Sequence, residues 1–98
     1  MDENLKSEAE TRIALGSDLR IGRAREVFDA LSSATKGSGL VVIDGSQVGK
    51  IDTAGLQALI AAIVRLRANG KVWHWEGGSA QLTSAAKLLG LDRALELQ

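Results

Sequence analysis

The pattern of apolar and polar positions predicts three strands, each followed by a helix. Residues 39–43 form the clearest strand, because Leu40-Val41-Val42-Ile43 is an unbroken aliphatic run without alternation. Such a run is typical of a strand buried on both faces, so we expect it at the centre of a parallel sheet. Ile13-Ala14-Leu15 predicts an earlier strand, and residues 71–76 predict a later one with period two.

Three segments have apolar residues spaced by three or four, as amphipathic helices do. They cover about residues 21–34, 53–68 and 80–89. Gly70 and Gly90 stand where the second and third helices end, and glycine is common there. The predicted buried stripes are, in order, Ile21, Ala24, Val27, Phe28, Leu31 and Ala34; Leu56, Leu59, Ile60, Ile63 and Val64; and Leu82, Ala85, Ala86 and Leu89.

This alternation predicts one small α/β domain, in which right-handed crossovers place helices over a small, mostly parallel or mixed β-sheet. The length of 98 residues fits a single domain. We expect residues 1–10 to form a flexible N-terminal arm and residues 11–98 to form the domain. The end of the chain fits either a last helical turn capped by Asp92 or an edge strand over residues 94–97.

Composition narrows the chemistry that the chain can carry. Twelve basic and twelve acidic residues cancel, so no positive field attracts a phosphate backbone, and nucleic-acid binding is disfavoured. The absence of cysteine excludes disulfides, thiolate metal sites and cysteine nucleophiles. The acidic N-terminus lacks the order of a signal peptide. The longest apolar run, residues 58–64, is far shorter than the ~20 residues of a membrane span, so we expect a cytoplasmic protein without direct membrane insertion.

The most distinctive polar residues, Asp52 and Thr53, stand where the second predicted helix begins. The first N–H groups of a helix lack partners and carry partial positive charge, so polar groups are held there at low cost. The carboxyl ends of strands in open α/β sheets are also where such proteins tend to bind ligands. Either residue could simply cap the helix. Alternatively, the Thr53 hydroxyl is displayed to a partner or a kinase, and a phosphate on it would be tolerated by the helix dipole but repelled by Asp52.

Other candidate chemistry in the chain is weak. Gly45, Gly49 and Gly55 match neither of the common phosphate-binding glycine motifs, so turn and packing roles are favoured. His74 is the only histidine, which excludes a multi-histidine metal site within one chain. We therefore predict no metal and no cofactor.

Several residues keep two interpretations. Trp73 and Trp75 share one side of the last strand and belong either to the core, which is favoured, or to an exposed patch for a partner. Asp44 could join Asp52 in acid–base catalysis, but no nucleophile–base pair accompanies them, so an enzyme is disfavoured. Three arginines form either a solvated helix face or a partner contact: Arg20, Arg23 and Arg25.

Two neighbouring stretches closely resemble the STAS domain family. They are Leu40-Val41-Val42-Ile43-Asp44-Gly45-Ser46-Gln47-Val48 and Ile51-Asp52-Thr53-Ala54-Gly55-Leu56-Gln57-Ala58-Leu59. Gly70-Lys71-Val72, Gly78-Ser79 and Leu88-Leu89-Gly90-Leu91 also resemble the family, so the likeness covers roughly residues 12–97. The family includes bacterial anti-sigma factor antagonists and the small STAS subunit of a phospholipid-trafficking ABC transporter. The resemblance implies a STAS-like fold with three to four helices and a non-catalytic, protein-binding role.

The resemblance gives Thr53 a specific meaning. In the antagonists, a partner serine kinase phosphorylates the residue directly after the motif aspartate, and Thr53 holds that position. In the transporter-associated members the same position is commonly threonine and contributes to contact with the ATPase subunit. A third use is in a chemotaxis-type signalling system. The implied partner-binding residues are Asp52, Thr53, Ala54, Gly55, Gln57, Arg20 and Arg23.

Two positions depart from the family pattern. Members often carry aspartate after the leucine that enters the first helix, whereas Leu19 is followed here by Arg20. The position after Asp44 is often leucine in the family and is Gly45 in this chain. The reversed charge at Arg20 leaves the choice between the partner classes open.

Overall fold

The elements follow the predicted alternation and add two short strands. The computed structural model describes residues 10–37 and 39–97. In chain order the elements are β1 (Glu10–Ala14), β2 (Asp18–Leu19), α1 (Ile21–Ala34), β3 (Leu40–Gly45), β4 (Lys50–Ile51), α2 (Thr53–Ala68), β5 (Trp73–Gly78), α3 (Ala80–Leu88) and α4 (Asp92–Leu95). The predicted arm over residues 1–10 lies outside the described residues except for its last residue, which begins β1. None of the described helices is long and apolar enough to cross a membrane.

The described strands form two parallel sheets. In the first, β3 pairs with β1 on one side and with β5 on the other, which confirms the prediction of a central parallel strand. The second is a single ladder between β2 and β4, with two residues on each strand, in which Leu19 lies opposite Ile51. The sequence pattern does not predict this ladder, because two-residue strands are too short to display a period.

The core lies between one face of the three-stranded sheet and the helices α1 and α2. Val41 and Ile43 from β3 meet Leu31 from α1 and Leu59 and Ile63 from α2, and each is at most 1% exposed. These aliphatic side chains therefore hold the two helices on the sheet by burying their apolar area.

The C-terminal residues close the core beside β5. Trp73 and Trp75 are half-buried and pack against the core cluster, which confirms the core interpretation. The Trp75 indole Nε1 donates a hydrogen bond of 2.7 Å to the carbonyl oxygen of Leu95. Of the two alternatives for the end of the chain, the helical one is right and the edge strand is wrong, with Asp92 as the first helical residue rather than the cap.

Three residues that the sequence pattern assigns to the buried helix stripes are exposed, so those assignments are wrong. Ile21 is 72% exposed, Val64 54% and Leu89 45%. Ile21 is the first residue of α1 and Leu89 follows the last residue of α3, where a helix no longer lies flat on the core. Near the end of α2 the fully buried residue is Leu66 rather than Val64, because the buried stripe rotates around the helix as the helix continues.

The opposite face of the sheet is covered by a polar pair. Arg12 on β1 forms two hydrogen bonds with Glu76 on β5, one of them 2.6 Å long, so the pair spans the central strand. Val42, which is the register partner of Arg12, is 2% exposed. The hydrogen bond from the Arg12 guanidinium holds the pKa of Glu76 below its ordinary value.

Candidate functional site

The candidate site forms where two helices begin side by side. β2 leads through Arg20 into α1, and β4 leads through Asp52 into α2. Because β2 and β4 pair in parallel, the chain enters the two helices in the same direction and at neighbouring positions. The positive ends of two helix dipoles therefore lie at one place on the surface.

The Asp52 carboxylate caps both helices. Its Oδ1 accepts a hydrogen bond of 2.8 Å from the Gly55 amide, which is the usual N-cap bond of α2. Its Oδ2 accepts a hydrogen bond of 2.9 Å from the amide of Ile21, 31 residues earlier in the chain. Arg20, the N-cap residue of α1, makes no side-chain capping bond. Asp52 thus supplies the acceptor that the start of α1 would otherwise lack.

Gly55 lets the two helix starts touch through their backbones. A Cβ atom at this position would lie 1.9 Å from the carbonyl oxygen of Leu19, which is far inside van der Waals contact. Gly55 is buried in the first turn of α2, so only glycine fits there without a shift of β2. The glycine in the sequence motif therefore serves packing between the two helix starts.

Thr53 is displayed rather than used by the fold. It is the first residue of α2 and is exposed, while the capping of α2 is done by Asp52. Gln57, one turn later on the same side of the helix, is exposed as well. Ala54 is half-buried between them and contributes little surface. The hydroxyl of Thr53 is consequently available for contact or modification.

The three arginines at and after the start of α1 have different surroundings. The Arg20 guanidinium is held by Asp18 through bonds of 2.9 and 2.8 Å, which lowers the pKa of Asp18 to about 2. Arg23 turns back along the chain and donates to the carbonyl oxygen of Asp18 at 3.4 Å. Arg25 pairs with Asp29 on the outer side of the helix. Of the three, Arg20 is next to the amide that Asp52 binds.

Two exposed residues beside Thr53 are missed by the sequence predictions. The sequence pattern places Ile21 in the core, yet it is exposed and its amide is bonded to Asp52. Lys50 is exposed on β4, two residues before Asp52. The position of Lys50 near Asp52 is visible in the sequence, but the exposure of Ile21 can be found only by knowing where α1 first reaches the core.

The remaining candidates for chemistry serve local structure. Asp44 Oδ1 accepts hydrogen bonds from the Ser46 hydroxyl at 2.6 Å and the Ser46 amide at 3.0 Å, which keeps the pKa of Asp44 low. A general base needs a pKa near the working pH, so this tuning does not suit proton transfer. His74 is exposed on β5. Within residues 10–37 and 39–97, no three His, Cys, Asp or Glu side chains stand close enough to hold a metal ion.

Comparison with known proteins finds a matching family profile and a similar solved structure. A family profile described as "Mlab, STAS domain" matches residues 5–97. No curated protein matches the sequence. Among solved structures, a sulfate transporter family protein from Wolinella succinogenes is similar, with 20% sequence identity and a TM-score of 0.75. The match covers 89% of this chain and 71% of that one, and at this identity the likeness concerns the fold.

Proposed function

Because the chain belongs to the STAS domain family, whose members are regulatory or accessory modules and generally non-catalytic, we propose that it binds another protein through its two adjacent helix starts. The observation that carries the proposal is an exposed Thr53 at a helix start whose capping is done by Asp52. Five exposed residues surround this point and are called the docking surface below: Arg20, Ile21, Lys50, Thr53 and Gln57.

The docking surface has the composition of a protein contact. Ile21 is a large apolar side chain that is 72% exposed, and polar or charged residues surround it. An apolar anchor within a polar rim is typical of protein–protein interfaces. The Asp18 carboxylate forms an ion pair with the Arg20 guanidinium. The docking surface therefore carries no strong positive charge that would favour binding of a polyanion.

The first candidate partner is a serine-kinase anti-sigma factor that phosphorylates Thr53 and then loses affinity for the domain. A phosphate adds about two negative charges next to Asp52, so the surface changes its charge while the adjacent helix dipole tolerates the new group. The domain can thus remain folded while its complementarity to the partner is lost.

Incubation with the cognate kinase and ATP, followed by mass spectrometry, tests this mechanism. We expect one phosphate on Thr53, at least tenfold weaker binding of the phosphorylated domain as an order of magnitude (about 1.4 kcal/mol), and no phosphate on the Thr53→Val variant. Ser84→Ala is the matched control, because Ser84 is an exposed hydroxyl residue on a different helix, α3. Phosphate on another residue, or unchanged phosphorylation and binding by Thr53→Val, would refute the mechanism.

The contact role of Ile21 is tested separately from phosphorylation. We expect Ile21→Ala to weaken partner binding by about tenfold (about 1.4 kcal/mol), since each apolar carbon that the truncation removes from a buried contact contributes about 0.8 kcal/mol. Leu88→Ala is the control, because Leu88 is 86% exposed on α3. Equal loss of affinity in both variants would place the contact elsewhere.

The second candidate partner is the ATPase subunit of a phospholipid ABC transporter, bound through the same docking surface. Thr53 is compatible with it, because the resemblance implies that this position is commonly threonine in transporter-associated members. Arg20, which replaces the aspartate that the family often carries, does not distinguish the two candidates. A cytoplasmic location belongs to the proposal for both candidates.

Purification of the tagged domain from its native host distinguishes the candidates. A stable pair with a kinase supports the first candidate, and recovery of an ATPase with a permease and an unmodified Thr53 supports the second. A chemotaxis-type signalling protein would instead support the third use. In each case the Ile21→Ala variant is expected to lose the partner, and retention would contradict the proposed docking surface.

A further inference from the structure

The amide of Ile21, at the start of α1, donates its hydrogen bond to Asp52, the N-cap residue of α2. The first amides of a helix have no acceptor within the helix, and the N-cap residue Arg20 provides none through its side chain. The bond of 2.9 Å to Asp52 Oδ2 therefore determines whether this amide is protected. The other carboxylate oxygen is committed to Gly55 at 2.8 Å. One side chain thus holds the first turns of α1 and α2 at once.

The surroundings confine any rearrangement to the first turn of α1. The close contact between Gly55 and the carbonyl of Leu19 fixes the start of α2 against β2. The β2–β4 ladder fixes the ends of the two short strands relative to each other. Ile21, by contrast, has an exposed side chain, so little packing holds it when its amide loses its acceptor.

We propose that Asp52 transmits a charge change at Thr53 to Ile21, so that phosphorylation removes an apolar anchor as well as adding a charge. The inference rests on the proposed function in taking Thr53 as the modified residue and Ile21 as an apolar anchor of the docking surface. In the transfer, the Thr53 oxygen forms a bond to the γ-phosphorus of ATP as the bond to the leaving ADP breaks, and the hydroxyl proton goes to the kinase base or to water. The resulting phosphate lies on the residue next to Asp52.

Two forces then act on the Asp52 carboxylate. The phosphate repels it, and the phosphate oxygens compete with Oδ1 for the Gly55 amide at the start of α2, where the N–H groups attract anions. The guanidinium of Arg20, which could otherwise neutralise the new charge, is already held by both oxygens of Asp18. The Ile21 amide therefore loses its acceptor, the first turn of α1 loosens, and Ile21 leaves its position in the docking surface.

Amide hydrogen exchange measured by NMR tests the inference on the isolated domain. The probe is the protein with phosphothreonine incorporated at position 53 by genetic encoding, so no cognate kinase is required. We expect the Ile21 amide to exchange roughly fivefold to tenfold faster than in the unmodified protein, because a helix cap contributes about 1 kcal/mol. The amides of β3 are expected to keep their rates.

Two variants complete the experiment. Asp52→Asn has only one oxygen acceptor in its side chain, so it should expose the Ile21 amide without any phosphate. Phosphoserine at position 84 adds the same charge on α3 and should leave Ile21 unchanged. Unaltered Ile21 exchange in the phosphothreonine protein overturns the inference, whether or not Asp52→Asn folds. Failure to find a partner for the docking surface would count against the proposed function and leaves this exchange result standing.

Discussion

The N-termini of α2 and α3 are capped in the same way but have different roles in the molecule. In each, a strand ends, a polar residue caps the helix, and its side chain accepts a hydrogen bond from the amide three residues later: Asp52 from Gly55 at 2.8 Å and Ser79 from Leu82 at 3.0 Å. Ser79 also donates its hydroxyl to the carbonyl of Val48, which ties the helix to a loop of the same domain.

The difference lies in the second bond and in the residue three positions after the cap. The second bond of Asp52 reaches another helix start, and Gly55 brings a backbone against a backbone. At the start of α3 the equivalent position is Leu82, a fully buried core residue. The capping bond by itself therefore carries no information about function. The candidate site is the start of α2, because there Asp52 joins two helices and the Thr53 side chain is exposed.

The largest expected effect on stability comes from adding a side chain at Gly55, where there is no room for one. A methyl group there meets the Leu19 carbonyl at 1.9 Å, so we expect Gly55→Ala to lower the free energy of unfolding by about 3 kcal/mol, the upper end of the usual cost of overpacking. Urea unfolding followed by circular dichroism measures it. Gly22→Ala is the matched control, because Gly22 is also helical and a Cβ there meets nothing within 4 Å. It should be neutral or stabilising by roughly 0.5 kcal/mol. Similar values for both variants would mean that the two helix starts are not in close contact.

Removing the two caps separates a shared cap from a local one. Asp52→Ala deletes charge-assisted bonds to two helices, and we expect it to cost about 2 kcal/mol of unfolding free energy. Ser79→Ala deletes neutral bonds and should cost about 1 kcal/mol. Urea denaturation gives both values, and the Ile21 amide should lose exchange protection only in Asp52→Ala. Loss of that protection in Ser79→Ala would break the distinction between the two starts.

As the pH falls, the residues that lead into α1 should lose stability before the start of α3 does. The hydrogen bond from Arg20 lowers the pKa of Asp18 from 3.8 to about 2, so the unfolded chain binds the proton more readily than the folded one. The contribution of this pair to stability is present above about pH 4 and is lost as the pH falls towards about 2. NMR titration of the Asp18 carboxyl carbon checks the shift. Arg20→Gln should return the pKa of Asp18 towards 3.8, whereas an unchanged value in that variant would contradict the assigned cause.

The smallest effect on stability is expected at Thr53, although its proposed role in function is the largest. Thr53→Val keeps the shape of an exposed side chain that does no capping, so unfolding free energy should change by less than about 0.5 kcal/mol. Ala80→Thr places a threonine at the same position of α3 and tests the comparison directly. We expect neither phosphorylation nor partner binding through residue 80. A larger loss of stability in Thr53→Val would indicate a structural role for its hydroxyl.

The parts of the fold that follow from local patterns were predictable. The aliphatic run of β3 determined a central parallel strand, and the spacing of leucines and isoleucines determined α2 with the bounds that it has in the structure. The family profile and the similar structure agree with the predicted STAS-like fold. At the site, the capping alternative for Asp52 follows from the sequence because aspartate before an apolar stripe is a common helix start.

The parts that depend on distant residues were not predictable. No local pattern pairs Asp18–Leu19 with Lys50–Ile51, and none connects the Asp52 carboxylate with an amide 31 residues away. Exposure at helix ends is equally non-local: Ile21 continues the periodic stripe, but α1 has not yet reached the core at its first residue. The role of Thr53 remains a prediction that the experiments above address.

Because Asp52 caps both helices, short peptides cannot reproduce the docking surface. The docking surface combines one segment at the start of α1 with another around the start of α2, and the bond between Ile21 and Asp52 joins them. A synthetic peptide of either segment lacks the partner half and the acceptor that orders it. Antibodies or inhibitors raised against linear fragments should therefore miss this surface, because its epitope is discontinuous and exists only in the folded domain.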